Sequence, residues 1–586
     1  MINALFGSQN STTEWSGEFA APTKTFVAAT LDEVIPLLYS ADREARNGNY
    51  VVVMLSYESA PAFDDALVTH SSSSPTPLAW AAVFAEQSKS EITFNDSYKT
   101  TEWNSQVSKS TYDSNIANIR ELIAVGQTYQ VNYTFPMISS FEGSAISYYD
   151  RLIRSLGAKY SAYLDLGKYK VLSISPELFF ERKGDQIRTK PMKGTAKRGR
   201  WTEEDQALAS SLANSEKDRA ENVMIVDLLR NDLGKVSIPG TVNVSSLFEL
   251  ERFETVWQMT STVEAQLKPG TDLVELMRAL FPCRSITGAP KIRTMEIIHQ
   301  LEQRPRGLYT GTIGLLRPGG DCTFNVAIRT VVIDSETGTA TFGVGGGVTI
   351  DSTAEGEYEE CLVKAKFLQS APQEFALFES ILLEDNDYFL LERHIERLKS
   401  SALYFGFQFC ESTIACPLER IRLDHLAGHW KIKLSLTRSG EITTEAAHVG
   451  AKRDAVRVAL ARSPVNSSNR LLFHKTTARD FYNAELAARP DCDDVIFFNE
   501  RNEVTESTIA NVVARINGKL VTPPTSAGLL AGTFRNELID KGEIEERVIT
   551  VDDLRTADEL FLVNSVRRWM PVSDALSERS SKNQTK

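Results

Sequence analysis

Apolar and polar positions follow two rhythms along the chain. Short apolar runs, YVVVML at 50–55 and VIFF at 495–498, predict strands. AENVMIVDLLRNDL at 220–233 spaces its apolar residues three and four apart and predicts a helix. Strand-like and helical runs interleave from end to end. That predicts an α/β or α+β fold rather than a bundle. The sequence carries no internal repeat.

The clearest change of pattern falls near 370–375. EYEECLVKAKFLQSA runs as a helix, Pro372-Gln373-Glu374 follows, and FALFESILL starts a new strand pattern. Proline past a helix is a stop signal. The division expected is a first domain at 1–370, a linker at 371–375, a second domain at 376–575 and a tail at 576–586. The polar ending SERSSKNQTK predicts disorder.

Composition narrows the classes of function. The chain of 586 residues has 64 Lys and Arg against 77 Asp and Glu, a net charge of −13. Such a chain repels phosphate backbones and anionic lipid, so no nucleic acid and no membrane surface is expected as partner. The start, MINALFGSQNSTTEW, has no basic segment and no long apolar run, so no signal peptide is expected. No apolar stretch is long enough to span a bilayer. The six cysteines form no CxxC pair and suit neither zinc nor a disulfide framework. They read as reduced, packed thiols of a cytoplasmic protein.

Candidate chemistry in the first half begins with acidic pairs. Asp218 and Glu221 stand three apart in one helical segment, and Glu357 and Glu360 repeat the spacing in another. Residues three apart share a helix face, so two helices can present carboxylates to one point. Hard oxygen ligands of that kind suit Mg²⁺. Acidic pairs alone are more often solvated surface charge. Lys193 lies in RTKPMKGTAKRG, between Pro191 and Gly194. Desolvation makes such a lysine a nucleophile; a surface lysine is the bland alternative. GVGGG at 343–347 lacks the GxGxxG register of a dinucleotide site. It either lets backbone amides approach a carboxylate or makes a plain turn.

Together these segments carry a resemblance. SPELFF (175–180), KPMKGT (190–195), AENVMIVDLLRNDLG (220–234), SITGAPKIRTMEII (285–298), RGLYTGTIG (306–314), FNVAIRT (324–330) and GGGVTIDS (345–352) resemble the chorismate-utilising enzymes, in that family's own order. The resemblance is strong over roughly 100–370. LSYESAPAFDD at 55–65 resembles the N-terminal part of the aminodeoxychorismate synthase branch. It implies an α+β domain with antiparallel sheets around a buried chorismate site. It implies Glu221 and Glu360 as main Mg²⁺ ligands, with Asp218 and Glu357 in support. Arg329, Tyr309, Lys364 and the backbone of Gly345, Gly346 and Gly347 correspond to binders of chorismate's carboxylates, and Ser285 to a substrate contact. Glu177 corresponds to the general acid that protonates the departing 4-hydroxyl.

Two positions choose the branch by resemblance. Lys193 matches the catalytic lysine of aminodeoxychorismate synthases; the anthranilate, salicylate and isochorismate branches have alanine there. Gln130 stands where isochorismate and salicylate synthases carry a water-activating lysine, which disfavours water as nucleophile. Gln258 departs from the family, which often has histidine. No nucleophile-elbow cysteine of a glutaminase is recognisable. Ammonia is therefore expected from solution or from a separate glutamine amidotransferase subunit.

The second half holds another set. Lys475 lies in LLFHKTTARDFY, Glu506 in EVTESTIANVV, and LLAGTFRNEL at 529–538 reads as a glycine turn opening a helix. Pyridoxal phosphate (PLP) chemistry needs a lysine, an acid for the ring nitrogen and a phosphate site. Each feature alone has a bland reading. In order, from FALFESILL to NSVRRWMPV at 564–572, they resemble the fold type IV PLP enzymes. The resemblance implies two small α/β subdomains with PLP between them, and a homodimer through this half. Lys475 corresponds to the Schiff-base lysine and Glu506 to the ring-nitrogen partner. Arg397, the amides of Thr533 and Phe534, and Ser565 correspond to phosphate contacts. Ser380 resembles the position of a lyase threonine that assists proton transfer, and Arg479 is a candidate for a substrate carboxylate.

The two resemblances together imply an aminodeoxychorismate synthase half followed by an aminodeoxychorismate lyase half. These would make 4-aminobenzoate for folate from chorismate and ammonia. Two rivals remain: an anthranilate-forming half joined to a type IV aminotransferase, and a non-catalytic fusion with decayed sites. Lys193 argues against the first rival, and the intact ligand set argues against the second.

Overall fold

The computed structural model describes residues 2–7, 13–70, 76–88, 94, 97–370, 374–451 and 454–573. The expected linker at 371–375 lies outside them except for its last two positions, and the expected tail at 576–586 lies wholly outside. The chain forms two compact units, one of 1–197 with 209–372 and one of 198–208 with 373–586.

The first unit is built on two ten-stranded sheets whose pairings are all antiparallel. One sheet runs through Gln130–Gly143, Thr339–Val348, Thr330–Asp334 and Tyr169–Ser175. The other runs through Met192–Lys197, Val256–Gln266, Leu178–Lys183, Thr312–Leu316 and Tyr50–Leu55. Phe6, Ala162 and Leu164 from the first meet Val52, Met54 and Ile313 from the second in one buried cluster. Alternation places those side chains on the inner faces of the two sheets.

Two helices position chemistry in this unit. Glu216–Val236 starts at the Ser215 cap, whose Oγ accepts from the Asp218 amide, and buries Ile225, Val226, Leu229 and Leu233. Ala354–Ala365 starts at the Thr353 cap and buries Cys361 and Ala365. The apolar stripe of each faces the core; the first helix also buries Asp232, paired with Arg284 at 2.5 Å.

The second unit has a four-stranded antiparallel sheet and an eight-stranded mixed one. The smaller sheet, with Leu377–Glu384 and His429–Leu436 at its centre, packs against the helices Leu391–Phe405 and Glu411–Asp424. The larger sheet includes Asp494–Phe498, Val504–Ser507, Asn511–Ile516 and Glu559–Asn564.

Residues 198–208 belong to this second unit, which the single boundary near 371–375 does not anticipate. Arg198 makes a buried ion pair with Asp205 at 2.7 Å and lies over the Tyr404 ring. Trp201 stacks on Phe473 with ring centroids 5.0 Å apart. Such contacts join residues far apart in sequence and leave no periodicity to read.

Three cysteines, Cys283, Cys322 and Cys361, are buried, whereas Cys410 and Cys416 are exposed rather than packed. Among the described residues no helix is long and apolar enough to cross a membrane.

Candidate active sites

A cavity of about 400 Å³ in the first unit gathers the residues singled out there. Glu177, Lys193, Asp218, Glu221, Ser285, Tyr309, Arg329, Gly345, Gly346, Gly347, Glu357, Glu360 and Lys364 all line it. Gln258 lines it too; Gln130 lies just behind Gly347.

Glu177 precedes the strand Leu178–Lys183 and is 4% exposed. Burial pushes its carboxyl up to about 7, against the opposing pull of Ser285 and Lys193. Ser285 Oγ donates to Glu177 Oε1 at 2.7 Å. Lys193 sits in the strand Met192–Lys197. Burial lowers its ammonium pKa, with Glu221 opposing. A desolvated lysine and a carboxyl of raised pKa thus face one cavity.

The Lys193 loop is braced from behind. Gln258 Nε2 donates to Gly194 O at 2.9 Å and accepts at Oε1 from Thr195 Oγ1 at 3.0 Å. Asn222 Nδ2 donates to Lys193 O at 3.4 Å. Gln258 therefore serves as a structural brace here, where the family often has histidine. Asn222 escaped the sequence reading, although it neighbours Glu221.

The glycine run is a strand, not a turn. Gly345, Gly346 and Gly347 lie in Thr339–Val348, opposite Thr134, Tyr133 and Asn132. A Cβ on Gly346 would stand 2.6 Å from Glu357 Oε2; one on Gly347 would stand 2.6 Å from Gln130 Nε2 and 2.9 Å from Lys193 Nζ. Glycine is needed because functional side chains approach the backbone. Gly347→Ala is expected to slow reaction at this site on the order of 10²-fold by displacing Lys193. Turnover at this site measures this, and the fold of the second unit should stay unchanged.

Arg329 holds a left-handed backbone, φ +51°, and a buried guanidinium with no carboxylate partner among the described residues. A strained, unpaired cation in a cavity suits an anionic ligand. Lys364 Nζ donates to Gly345 O at 2.9 Å and pairs with Glu360 at 2.7 Å. Burial raises the Glu360 carboxyl, but Lys364 and Lys193 outweigh it and hold it below its ordinary value.

The carboxylates come from two helices, as their spacing predicts. Among the described residues no three His, Cys, Asp or Glu side chains already converge as a metal cage. Glu357 accepts from Ser352 Oγ at 2.6 Å and Asp218 from Ser215 Oγ at 2.5 Å. That donor set fits Mg²⁺, which takes one or two carboxylates and keeps several waters. Glu221 and Glu360, one from each helix, would be its direct protein ligands.

A second cavity, of about 460 Å³, lies within the second unit. Ser380, Arg397, Lys475, Arg479, Glu506, Thr533 and Ser565 line it. Burial lowers the Lys475 amine to about 8, with Arg397 pushing the same way. Burial raises Glu506 to about 7; Tyr482 Oη donates to its Oε1 at 2.5 Å. Lys475 Nζ lies 5.0 Å from the centre of the Phe378 ring.

Thr533 and Phe534 open the helix Thr533–Asp540, capped at Gly532. The Phe534 side chain turns into the core beside Phe389, so only its amide can serve the cavity. Ser565 Oγ donates to Ser380 O at 3.2 Å. Arg397 donates to both oxygens of Glu379, at 2.8 and 2.6 Å, and to Ala531 O at 3.1 Å. The helix start, Arg397 and the Thr533 hydroxyl fit a phosphate, and the buried Glu506 fits a ring nitrogen. The residues present therefore suit PLP.

Sequence reasoning missed Glu379, His394 and Tyr482. His394 Nδ1 meets Glu379 Oε2 at 2.7 Å, and His394 Nε2 meets Thr533 Oγ1 at 3.2 Å. Burial alone would raise Glu379; Arg397 and His394 reverse this and hold it at about 2. Glu379→Ala is expected to cost about 3 kcal/mol, because the Arg397 guanidinium and the buried His394 imidazole lose their partner; denaturant unfolding of the second unit reads it. The depressed carboxyl binds fewer protons folded than unfolded. Its contribution is thus complete above its ordinary value of 4.5 and is lost as pH falls toward about 2.

Comparisons with known proteins match one family to each half of the chain. The chorismate binding enzyme family matches residues 9–370, and the class IV amino-transferase family matches residues 376–575. Aminodeoxychorismate synthase component 1 of Bacillus subtilis is 42% identical over 256 residues, 44% of this chain and 54% of that protein. Anthranilate synthase component 1 of Aquifex aeolicus is 37% identical over 270 residues, 46% of this chain and 54% of that protein. The chain thus spans just over half the length of these relatives. The crystal structure of anthranilate synthase component I from Streptococcus pneumoniae matches with a TM-score of 0.54 at 23% identity, covering 63% of this chain and 92% of that one. That likeness concerns the fold.

Proposed function

The chain belongs to the chorismate binding enzyme family over residues 9–370, and from that premise we propose that it makes 4-aminobenzoate from chorismate and ammonia in two steps. The first unit aminates chorismate at C4. The second eliminates pyruvate from the aminated product. One observation carries the reading: a buried lysine of lowered pKa, Lys193, shares a cavity with a buried acid, Glu177, poised near neutrality.

In the first step Arg329, Tyr309, Lys364 and the backbone of Gly345, Gly346 and Gly347 hold chorismate's carboxylates. Mg²⁺ on Glu221 and Glu360, supported by Asp218 and Glu357, would neutralise carboxylate charge. The unprotonated Lys193 amine attacks C2, both ring double bonds shift toward C4, and the 4-hydroxyl leaves as water with the proton of Glu177. Ser285 orients that carboxyl. Ammonia then attacks C4, both double bonds shift back, and the C2–N bond to Lys193 breaks. Lys193 favours this route over ortho amination, and Gln130 cannot act as the base that water needs.

In the second step PLP, when bound, supplies an electron sink at the substrate amine. Glu506 would hold the ring nitrogen, and Arg397, Thr533, Phe534 and Ser565 would hold the phosphate. Lys475 would take the C4 proton. Ser380, in the same cavity, passes a proton as pyruvate departs from C3 and the ring becomes aromatic. The ammonia comes from solution or from a glutamine amidotransferase subunit. The protein is cytoplasmic and pairs as a homodimer through the second unit.

The second step is tested by supplying aminodeoxychorismate to the PLP-loaded protein. Equal amounts of pyruvate and 4-aminobenzoate are expected. Transfer of the amino group to a 2-oxo acid, without pyruvate release, would instead make the second unit an aminotransferase.

A further inference from the structure

Residues 198–208 fall inside the span matched by the chorismate binding enzyme family, yet they pack in the second unit. The class IV match, 376–575, does not include them. Their sequence is RGRWTEEDQAL.

The segment is held in one shape. Arg198 Nε donates to both oxygens of Asp205, at 2.7 and 3.0 Å. Arg198 Nη2 donates to Asp205 Oδ2 at 2.8 Å and to Tyr404 O at 3.1 Å. Gly199 N donates to Asp205 Oδ1 at 2.8 Å, and a Cβ on Gly199 would stand 2.1 Å from Asp205 N. Tyr404 Oη donates back to Gly199 O at 2.5 Å. A buried ion pair is weak evidence of added stability. Its directed, charge-assisted bonds fix a geometry instead.

Two parts of the second site's frame meet this segment. On one side Trp201 stacks on Phe473, and the Arg200 guanidinium lies 4.7 Å from the Trp201 ring centre and 5.5 Å from that of Phe473. Phe473 stands two positions before Lys475. On the other side Thr202 Oγ1 and Ser400 Oγ share a hydrogen bond at 2.6 Å, and Arg198 reaches Tyr404. Ser400 and Tyr404 belong to the helix Leu391–Phe405, which also carries Arg397. Ser401, next on that helix, shares a hydrogen bond with His474 Nδ1 at 2.9 Å.

Trp201 and Thr202 also wall a cavity of about 900 Å³ within the second unit. Arg397, His474 and Thr533 line both this cavity and the one that holds Lys475. Removing the Trp201 ring would let water reach the Phe473–Lys475 stretch from this side. We propose that residues 198–208 are a positioning element of the second site, with Trp201 fixing the Lys475 stretch against the helix that carries Arg397 and shielding it from water. This rests on the reading that Lys475 is the PLP lysine. It implies that the span 376–575 does not make a complete site by itself.

The test uses the full chain, with PLP and stripped of it, and the variants Trp201→Leu and Trp201→Phe. Trace acetic anhydride labels unprotonated amines, and mass spectrometry of the Lys475 peptide across pH gives its protonation midpoint in the stripped protein. Burial and the field of Arg397, with Arg479 behind it, hold that amine at about 8 against Glu379 and Glu506. Trp201→Leu should move the midpoint about one pH unit back toward the ordinary 10.5 as water enters. It should also weaken PLP retention in equilibrium dialysis by roughly 10-fold. Trp201→Phe keeps an aromatic face on Phe473 and should restore both. If Trp201→Leu does not fold, Trp201→Met, closer in size, is measured in its place. A wild-type midpoint and wild-type retention in Trp201→Leu overturn the proposal. So does a common loss in both variants that follows a lowered unfolding midpoint, as bulk destabilisation would give. A wild type that takes up no PLP overturns the PLP reading alone, and the Lys475 midpoint then decides this proposal by itself.

Discussion

Lys193→Ala is expected to abolish amination of chorismate, with a loss of roughly 10⁴- to 10⁶-fold, the range seen when a covalent nucleophile is removed. The physical basis is the burial that lowers the Lys193 pKa and so eases loss of its proton. Chorismate binding should weaken far less, because Arg329 and Lys364 remain. Mass spectrometry of wild type with chorismate and no ammonia should find an adduct on Lys193 that the variant lacks. The same step carries a pH signature. Glu177 titrates at about 7, so the rate should fall as pH rises through that value and the acid loses its proton. On the acid side it should fall as Lys193 becomes protonated. Glu177→Gln should lose most of the activity and flatten the alkaline limb. A profile unchanged in that variant would exclude Glu177 as the acid.

Lys475→Ala is expected to stop the sequence after the first step. Aminodeoxychorismate should accumulate at the wild-type rate of chorismate consumption while pyruvate release drops by roughly 10⁴-fold or more. Bound PLP should also lose its characteristic absorbance, because the covalent attachment is gone. Lys193 and Lys475 have similar chemistry, each a buried lysine of lowered pKa. Their substitutions separate the two units because each should leave the other reaction intact. If Lys475→Ala still released pyruvate at the normal rate, the C4 proton would have to go to another base.

Much of the site was legible because motif residues lie close in sequence to the backbone features that place them. Asp218 and Glu221 are read from their spacing and then from the Ser215 cap that starts their helix. Lys193 and Lys475 are read from short segments whose loops and strands fix them. What stayed hidden depends on partners distant in sequence. Glu379 gains its meaning from Arg397 and His394, on a helix after the next turn. Gln258 looked like a departure from the family, yet it is tied to Gly194 and Thr195 by cross-strand pairing that no local pattern encodes. The glycine run left strand and turn open, because glycine tolerates both; pairing with Gln130–Gly143 decides for the strand. Residues 198–208 were hidden for the same reason, since Trp201 and Arg198 find Phe473 and Tyr404 only in the folded chain.

The most direct measurement is the product formed when the purified full chain is incubated with chorismate, ammonium, Mg²⁺ and PLP. The prediction is 4-aminobenzoate and pyruvate in equal amounts, with aminodeoxychorismate rising and falling before them. Anthranilate in place of 4-aminobenzoate would contradict the role given to Lys193 and place the first unit in the ortho-aminating branch.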